Sequence, residues 1–416
     1  MEHGVGQADQ PSQTVGTVEV ADDLDDSVRA QGFIPFADQR HNPIVSQQAG
    51  QGAAGDVAAT DDQKVSHRDD YRMPFQVTIE PSGHRYCAEA DETLLEAALA
   101  AGLTLPYGCR NGACGSCKGR VLEGSVDHDG AQESALPHEE RRAGLALFCC
   151  ARPRSDIVLE CHEVGVATDI PVRTMPCRVQ KLERLAADVM VLHLKLPANE
   201  RLQFLAGQYI EILRPAGRRR AFSLANAPHD DAMLQLHLRL IPGGEFTSHV
   251  FHAMAEREIL RFEGPHGSFY LREEPELARP VILLAGGTGF APIKSIVEHA
   301  IHQRLRRPMT LYWGARNRGG LYLPELPLRW AAEHAHLAYV AVLSEPTAAD
   351  AWSGRSGLVH RAVLDDVADL SGYDVYACGA PAMIDAARRD FTARGLPPER
   401  FFSDAFSYAR DSTGVA

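Results

Sequence analysis

What this 416-residue chain lacks narrows its class before any motif is read. No stretch approaches the 18 or more uninterrupted apolar residues that a bilayer-spanning helix needs. The opening Met-Glu-His-Gly-Val-Gly-Gln-Ala-Asp-Gln-Pro-Ser-Gln has neither a basic n-region nor an apolar h-region, so a secretory signal is not expected. There is no surplus of basic residues. The formal charge of −13 argues against a nucleic-acid partner, because phosphate binding calls for a clustered basic surface. There is no internal repeat. An even cysteine framework is missing as well: nine cysteines without a signal peptide predict metal ligation rather than disulfides, in a reducing cytoplasm.

What remains is ordinary soluble-protein composition, 45% hydrophobic and 23% charged, in a length that suggests two to four domains. Residues 1–72 are rich in Gln, Gly, Ala, Asp and Ser, and their one notable apolar patch is Phe33-Ile-Pro-Phe36. Too little apolar surface is available there to offset the entropy of ordering, which predicts a disordered tail.

From Pro74 the pattern turns regular. Phe75–Ile79 alternates as a strand, Arg85–Ala88 follows a Pro-Ser-Gly turn, and Asp91–Ala101 carries helical periodicity up to Gly102. Strands near Lys118–Val121 and Ile157–Cys161 complete a small β-grasp-like order over residues 73–168. Residues 169–275 read as short strands separated by Gly, Pro and Asn turns, which predicts an antiparallel β-barrel. From 276 to 416 nearly continuous apolar strands alternate with helices, as in a doubly wound parallel-sheet domain that binds nucleotides.

The strongest signal is Cys109-Arg-Asn-Gly-Ala-Cys114-Gly-Ser-Cys117, a C-x4-C-x2-C loop followed much later by Leu147-Phe-Cys149-Cys150. This is the plant-type spacing for a [2Fe–2S] cluster. One loop must deliver three thiolates and wrap its amides inward, and Gly108, Gly112 and Gly115 permit that close approach. A zinc site would pair C-x2-C with a second C-x2-C or with histidines, and the loop does not match. Two candidates stand for the fourth ligand, Cys149 and Cys150; on an extended segment neighbours point oppositely, so only one is expected to face the cluster. Cys87, Cys161 and Cys177 belong to no motif and read as small buried hydrophobes.

Arg220-Ala221-Phe222-Ser223 offers an arginine for a pyrophosphate, an aromatic for a flavin face and a hydroxyl within reach of flavin N5. Its order gives it weight. Gly207-Gln-Tyr209 lies upstream, and His237-Leu-Arg239 with Pro242-Gly243-Gly244-Glu-Phe-Thr247 lies downstream, where the glycine pair can present amides to a phosphate. Gly286-Gly287-Thr288-Gly289-Phe-Ala-Pro292 follows an apolar strand and opens a helix, so its amides and the helix dipole suit a pyrophosphate. Pro292 stands where a G-x-G-x-x-G fingerprint has its third glycine. Cys378-Gly379-Ala-Pro381 ends a later strand, in the switch-point region of such a sheet.

Taken in order, these segments resemble the ferredoxin-NADP reductase-like family, in the oxygenase-reductase branch with an N-terminal plant-type ferredoxin domain. LPYGCRNGACGSCKG, ALFCCARP, LPANERLQFLAGQYIEI, ILRFEGPHGSF and GGTGFAPIKSIVEHAIH are most similar to its CDP-6-deoxy-Δ3,4-glucoseen reductase group. The resemblance spans roughly Met73 to Phe406. It implies an NAD(P)H-dependent oxidoreductase carrying FAD and a [2Fe–2S] cluster held by Cys109, Cys114, Cys117 and Cys149. Tyr209, Arg220, Ala221, Phe222, Ser223, His237 and Arg239 would serve FAD, with Gly243, Gly244 and Thr247 at its phosphate end. Gly287, Thr288, Gly289 and Pro292 would line the nicotinamide nucleotide. Ser223, Cys378, Gly379 and Phe406, in Ser403-Asp-Ala-Phe406, would stand near hydride transfer. After Gly314-Ala-Arg316 this chain has Asn317-Arg318 where NADH-using relatives often carry an acid, so NADH and NADPH both fit. The acceptor implied is a sugar dehydratase of deoxysugar synthesis; an aromatic-ring or diiron oxygenase is the alternative.

Overall fold

The computed structural model describes residues 74–161, 165–166, 170–273 and 279–406. The tail expected over 1–72 lies outside the described residues.

The first module is a five-stranded mixed sheet in the order Arg85–Ala88, Phe75–Glu80, Ile157–Glu160, Lys118–Glu123, Leu145–Leu147. Phe75–Glu80 and Ile157–Glu160 run parallel at its centre, and the other pairs are antiparallel. The single long helix begins two residues later than the Asp91 cap expected from sequence. Thr93 caps it instead: its hydroxyl accepts from Glu96 N, and the Glu96 carboxylate accepts from Thr93 N. Helix Leu94–Ala100 buries Leu94, Leu95, Ala97 and Ala98 on the sheet, over a core that includes Val77, Ile79, Leu147 and Phe148. This core holds the cysteine loop against a rigid base.

The second module is a six-stranded antiparallel sheet, ordered Arg219–Ser223, Tyr209–Leu213, Ile259–His266, Arg173–Ala186, Val189–Lys195, Leu234–Arg239. The sequence reading expected a barrel, and the strand ladders do not close into one. Just past the end of Arg219–Ser223 the two edges meet through a bridge of Leu224 to Leu236 and an Ala225 N to Gln235 O bond of 2.8 Å. Among the described residues no ladder joins Arg219–Ser223 itself to Leu234–Arg239, and both strands contribute to the lining of one cavity.

The third module is a six-stranded, wholly parallel sheet, ordered Arg355–Ser356, Leu337–Leu343, Met309–Ala315, Val281–Gly286, Asp374–Gly379, Phe401–Ala405. Apolar strands such as Val-Ile-Leu-Leu at 281–284 are buried because helices cover both faces. The chain winds outward from Val281–Gly286, then crosses back to Asp374–Gly379. The switch point therefore lies at the carboxyl ends of those two strands, where Gly287–Gly289 and Gly379 stand.

Candidate functional site

The cysteine loop is built around its own sulfurs. The amides of Ala113 and Cys114 donate to Cys109 Sγ at 3.4 and 3.3 Å, and Cys109 N donates to Cys114 Sγ at 3.3 Å. Ser116 N approaches Cys114 Sγ at 3.5 Å. Across the loop Cys117 Sγ lies 3.2 Å from Cys149 Sγ. The thiols thus fall into two couples, Cys109 with Cys114 and Cys117 with Cys149. In each couple one thiol is driven toward thiolate, the form that ligates metal. The S–H of Cys114 lowers Cys109, and that of Cys117 lowers Cys149. Gly112 is required sterically: its φ is +76°, and a Cβ there would lie 2.6 Å from Gly130 O. The donor set, its inward amides and its pairing fit a [2Fe–2S] group.

Cys150 departs from expectation. Its amide donates to Leu147 O at 2.9 Å, so residues 147–150 form a turn rather than an extended run, and alternation does not apply. Both sulfurs consequently turn inward, 3.7 Å apart. Cys149 is the one coupled to Cys117. Cys161 and Cys177 are buried as expected, and Cys87 is not: it is exposed, because Tyr86 and Ala88 take the inward positions of its edge strand.

A cavity of about 600 Å³ opens beside this loop. Its walls come from all three modules: Gly108 and Cys109 from the first, Tyr209 and Arg219–Ser223 from the second, Thr288, Asp404 and Phe406 from the third. Strand Arg219–Ser223 is delivered by its pairing with Tyr209–Leu213, which sets Ser223 opposite Tyr209. The Phe222 ring leans on Phe246, with centroids 5.4 Å apart. Helix Glu245–His252 starts at Gly244 and aims its first turn into the cavity, with Glu245, Phe246 and Thr247 on the wall. Unpaired first-turn amides favour an anion. The Thr247 hydroxyl is bound to this turn, accepting from Ile241 N at 3.2 Å and donating to Gly244 O at 3.3 Å.

Burial sets the charges on the far wall. His237 donates or accepts at Tyr322 Oη, 2.9 Å away, and desolvation pushes its pKa down to about 3, so the ring is neutral. Arg239 is paired with Asp188 at 3.1 Å and lies beside Gly287. Asp404 is raised to about 7, first by burial and then by the negative charge of Cys109. Cys378 is fully buried in the sheet core and does not line the cavity; desolvation raises its thiol. A Cβ on Gly289 would lie 2.1 Å from Cys378 O, so the glycine lets the helix entry press against that strand end.

Three family models match the chain. They are a 2Fe-2S iron-sulfur cluster binding domain over residues 77–154, an oxidoreductase FAD-binding domain over 176–270 and an oxidoreductase NAD-binding domain over 283–389. The CDP-6-deoxy-L-threo-D-glycero-4-hexulose-3-dehydrase reductase of Yersinia pestis is 40% identical over 334 residues, 80% of this chain and 99% of that protein. The chain belongs to the ferredoxin-containing FAD/NAD reductase family. The reductase subunit of an aromatic O-demethylase from Amycolatopsis is 38% identical, covering 81% of this chain and all of that one. The solved cytochrome P450 reductase of Amycolatopsis has a TM-score of 0.66 at 36% identity, over 80% of this chain and 99% of that structure.

As a member of this reductase family the chain is an iron–sulfur flavoprotein oxidoreductase using a [2Fe–2S] cluster, FAD and a nicotinamide nucleotide. Among the described residues no helix is long and apolar enough to cross a membrane. The cavity brings together Tyr209, Arg220, Ala221, Phe222, Ser223, His237, Arg239, Gly244, Thr247, Thr288 and Phe406. Gly243, Gly287, Gly289, Pro292, Cys378 and Gly379 are outside its lining; Pro292 is buried inside helix Phe290–His302, and Gly243, Gly287 and Gly379 take positive φ. Sequence reasoning missed Asp404, which its register with Cys378 carries to the cavity. The signal is present in the sequence, since Asp404 sits in the same Ser403–Phe406 segment as Phe406. Arg316 and Arg318 are exposed past strand Met309–Ala315, and Asp350 accepts from Arg318 N at 2.9 Å.

Proposed function

We propose that hydride from NADH or NADPH is taken up on FAD and that its two electrons leave singly through the [2Fe–2S] cluster to a terminal acceptor protein. The observation that carries this reading is the three-walled cavity, where Cys109, Ser223 and Phe406 face one space. The modules would run over residues 73–168, 169–275 and 276–416. Cys109, Cys114, Cys117 and Cys149 would hold the cluster. Arg220, the amides at Gly243 and Gly244, and the first turn at Thr247 would hold the flavin's phosphates, with Tyr209, Ala221, Phe222, His237 and Arg239 around the rest. Gly287, Thr288, Gly289 and Pro292 would form the nicotinamide nucleotide's seat, with Cys378 and Gly379 behind it and Phe406 over the flavin. Bound there, FAD supplies the conversion between a two-electron donor and a one-electron acceptor.

The protein's part is orientation and charge. Ser223 lines the cavity, where its hydroxyl would donate to flavin N5 as charge develops there. His237 is neutral and so adds no positive charge to the cavity wall that Arg239 shares. Ser223→Ala is expected to retain FAD and to slow flavin reduction by about 10- to 1,000-fold, the loss of one positioned donor. Stopped-flow absorbance with NADH measures it, and an unchanged rate removes that role.

The acceptor we infer is a nucleotide-sugar dehydratase, as the name of the Yersinia relative indicates for that protein. The Amycolatopsis subunit and a Comamonas terephthalate 1,2-dioxygenase reductase component, 34% identical, favour an oxygenase as the second reading. Protein loaded anaerobically should carry FAD and two irons, and NADH should bleach flavin first and cluster second. Stoichiometric zinc in place of iron overturns the reading. NADH turnover with each purified acceptor separates the two partners.

A further inference from the structure

The first ligand loop is fastened to the second module at three points that bracket Cys109. Tyr107 N donates to Ser268 Oγ at 2.9 Å, and that hydroxyl donates back to Tyr107 O at 3.0 Å. Tyr209 Oη donates to Gly108 O at 2.6 Å. On the other side of Cys109, Arg110 Nη1 lies 3.4 Å from His266 Nδ1 and 4.0 Å from both the Glu211 and Glu263 carboxylates. Among the described residues, the hydrogen bonds of Cys114, Cys117 and Cys149 stay within their own module.

Two features point to the Arg110 side chain rather than its backbone. Arg110 has φ +60°, a left-handed conformation that glycine adopts without strain and arginine does not. Second, it completes a charge balance. Glu211 is nearly buried and Glu263 only partly exposed, and two carboxylates brought together there repel each other unless nearby cations offset them. Arg219 is one, bonded to Glu211 at 3.0 Å and Glu263 at 2.6 Å. His266 does not serve as the other, because burial and Arg110 push it down to about 4. Arg110 is the second cation, and it comes from the cluster loop.

We propose that Arg110 is a positioning residue that seats Cys109 against the flavin cavity and thereby sets the rate of electron passage from flavin to cluster. The inference rests on the electron path proposed above. Each passage would carry one electron, so two passages would discharge one hydride and return the flavin to its oxidised form, with the proton released to solvent.

The test uses full-length protein loaded with iron and FAD and reduced by NADH in an anaerobic stopped-flow instrument. In Arg110→Gln, iron and FAD content, the KM for NADH and the flavin phase should match wild type. The cluster phase should slow by about 10-fold or more, the cost of misplacing a reacting group by an ångström or less. Hydrogen–deuterium exchange over residues 105–112 should rise, and Arg110→Lys should recover part of the rate. If Arg110→Gln fails to load iron, Glu263→Gln, whose backbone is in the other module, should show the same slowed second phase. A wild-type cluster phase in the variant that loads, or equal slowing of both phases, overturns the proposal. A wild-type cluster that NADH never bleaches overturns the electron path instead.

Discussion

Cys114→Ser is expected to give a yellow protein without iron that still reduces ferricyanide with NADH and has lost all reduction of cytochrome c. Cys114 shares a couple with Cys109, each sulfur accepting an amide from the other residue, so its loss would remove one of the four proposed cluster ligands. Serine's hydroxyl stays protonated near neutral pH and is a poor substitute for a soft thiolate ligand. Flavin and nicotinamide sites should survive because each module has its own core: Phe148 and Leu147 in the first, Phe262 and Ile210 in the second, Trp313 and Leu283 in the third. The Cys114 side chain also packs against the apolar core of the third module, and serine is nearly its size, so little packing is lost. Iron analysis and parallel ferricyanide and cytochrome c assays measure the outcome. Loss of both activities together would mean that the flavin site depends on the loaded loop.

Local chemistry was legible in the sequence, and pairing across the fold was not. The C-x4-C-x2-C loop could be read because its three sulfurs are joined by nine residues whose glycines dictate the path. The choice between Cys149 and Cys150 could not, since the argument from alternation assumed a strand where a turn directs both sulfurs inward. Strand Arg173–Ala186 went unread. Its buried positions Met175, Cys177 and Val179 alternate correctly, but Pro176 stands among them, and a proline in the run argues against the central strand that this one is, paired with two neighbours. Barrel closure depends on whether the edge strands meet, and nothing in either edge's own sequence reports on the other. Arg110 and Asp404 illustrate the same limit. Each lies within a motif already noticed, yet each acts on residues more than a hundred positions away, Arg110 on Glu211 and His266, Asp404 beside Cys109.

The largest effect in the nicotinamide module is expected from Gly289→Ala, which should slow NADH-dependent flavin reduction by about 100-fold or more, the scale of an ångström's misplacement. A methyl at Gly289 would lie 2.1 Å from Cys378 O, 2.5 Å from Cys378 C and 2.9 Å from Gly379 N. All three are backbone atoms of strand Asp374–Gly379, which is held on both sides by parallel ladders and has no rotamer with which to yield. Either the strand end or helix Phe290–His302 must move, and both border the switch point where the coenzyme is expected to lie. Overpacking of this kind costs about 1–3 kcal/mol, so the melting temperature should fall by a few degrees without loss of the fold. Gly287→Ala is the informative contrast. Its φ of +55° makes alanine mildly strained, and the nearest atom to its methyl is the Arg239 Nη2, 3.2 Å away at the end of a flexible side chain. Gly287→Ala should therefore show a smaller defect than Gly289→Ala. Dithionite should reduce flavin and cluster normally in both variants, since it bypasses the nicotinamide seat. A Gly289→Ala protein that takes hydride at the wild-type rate would show that the close approach of helix and strand is structural and has no part in holding the coenzyme.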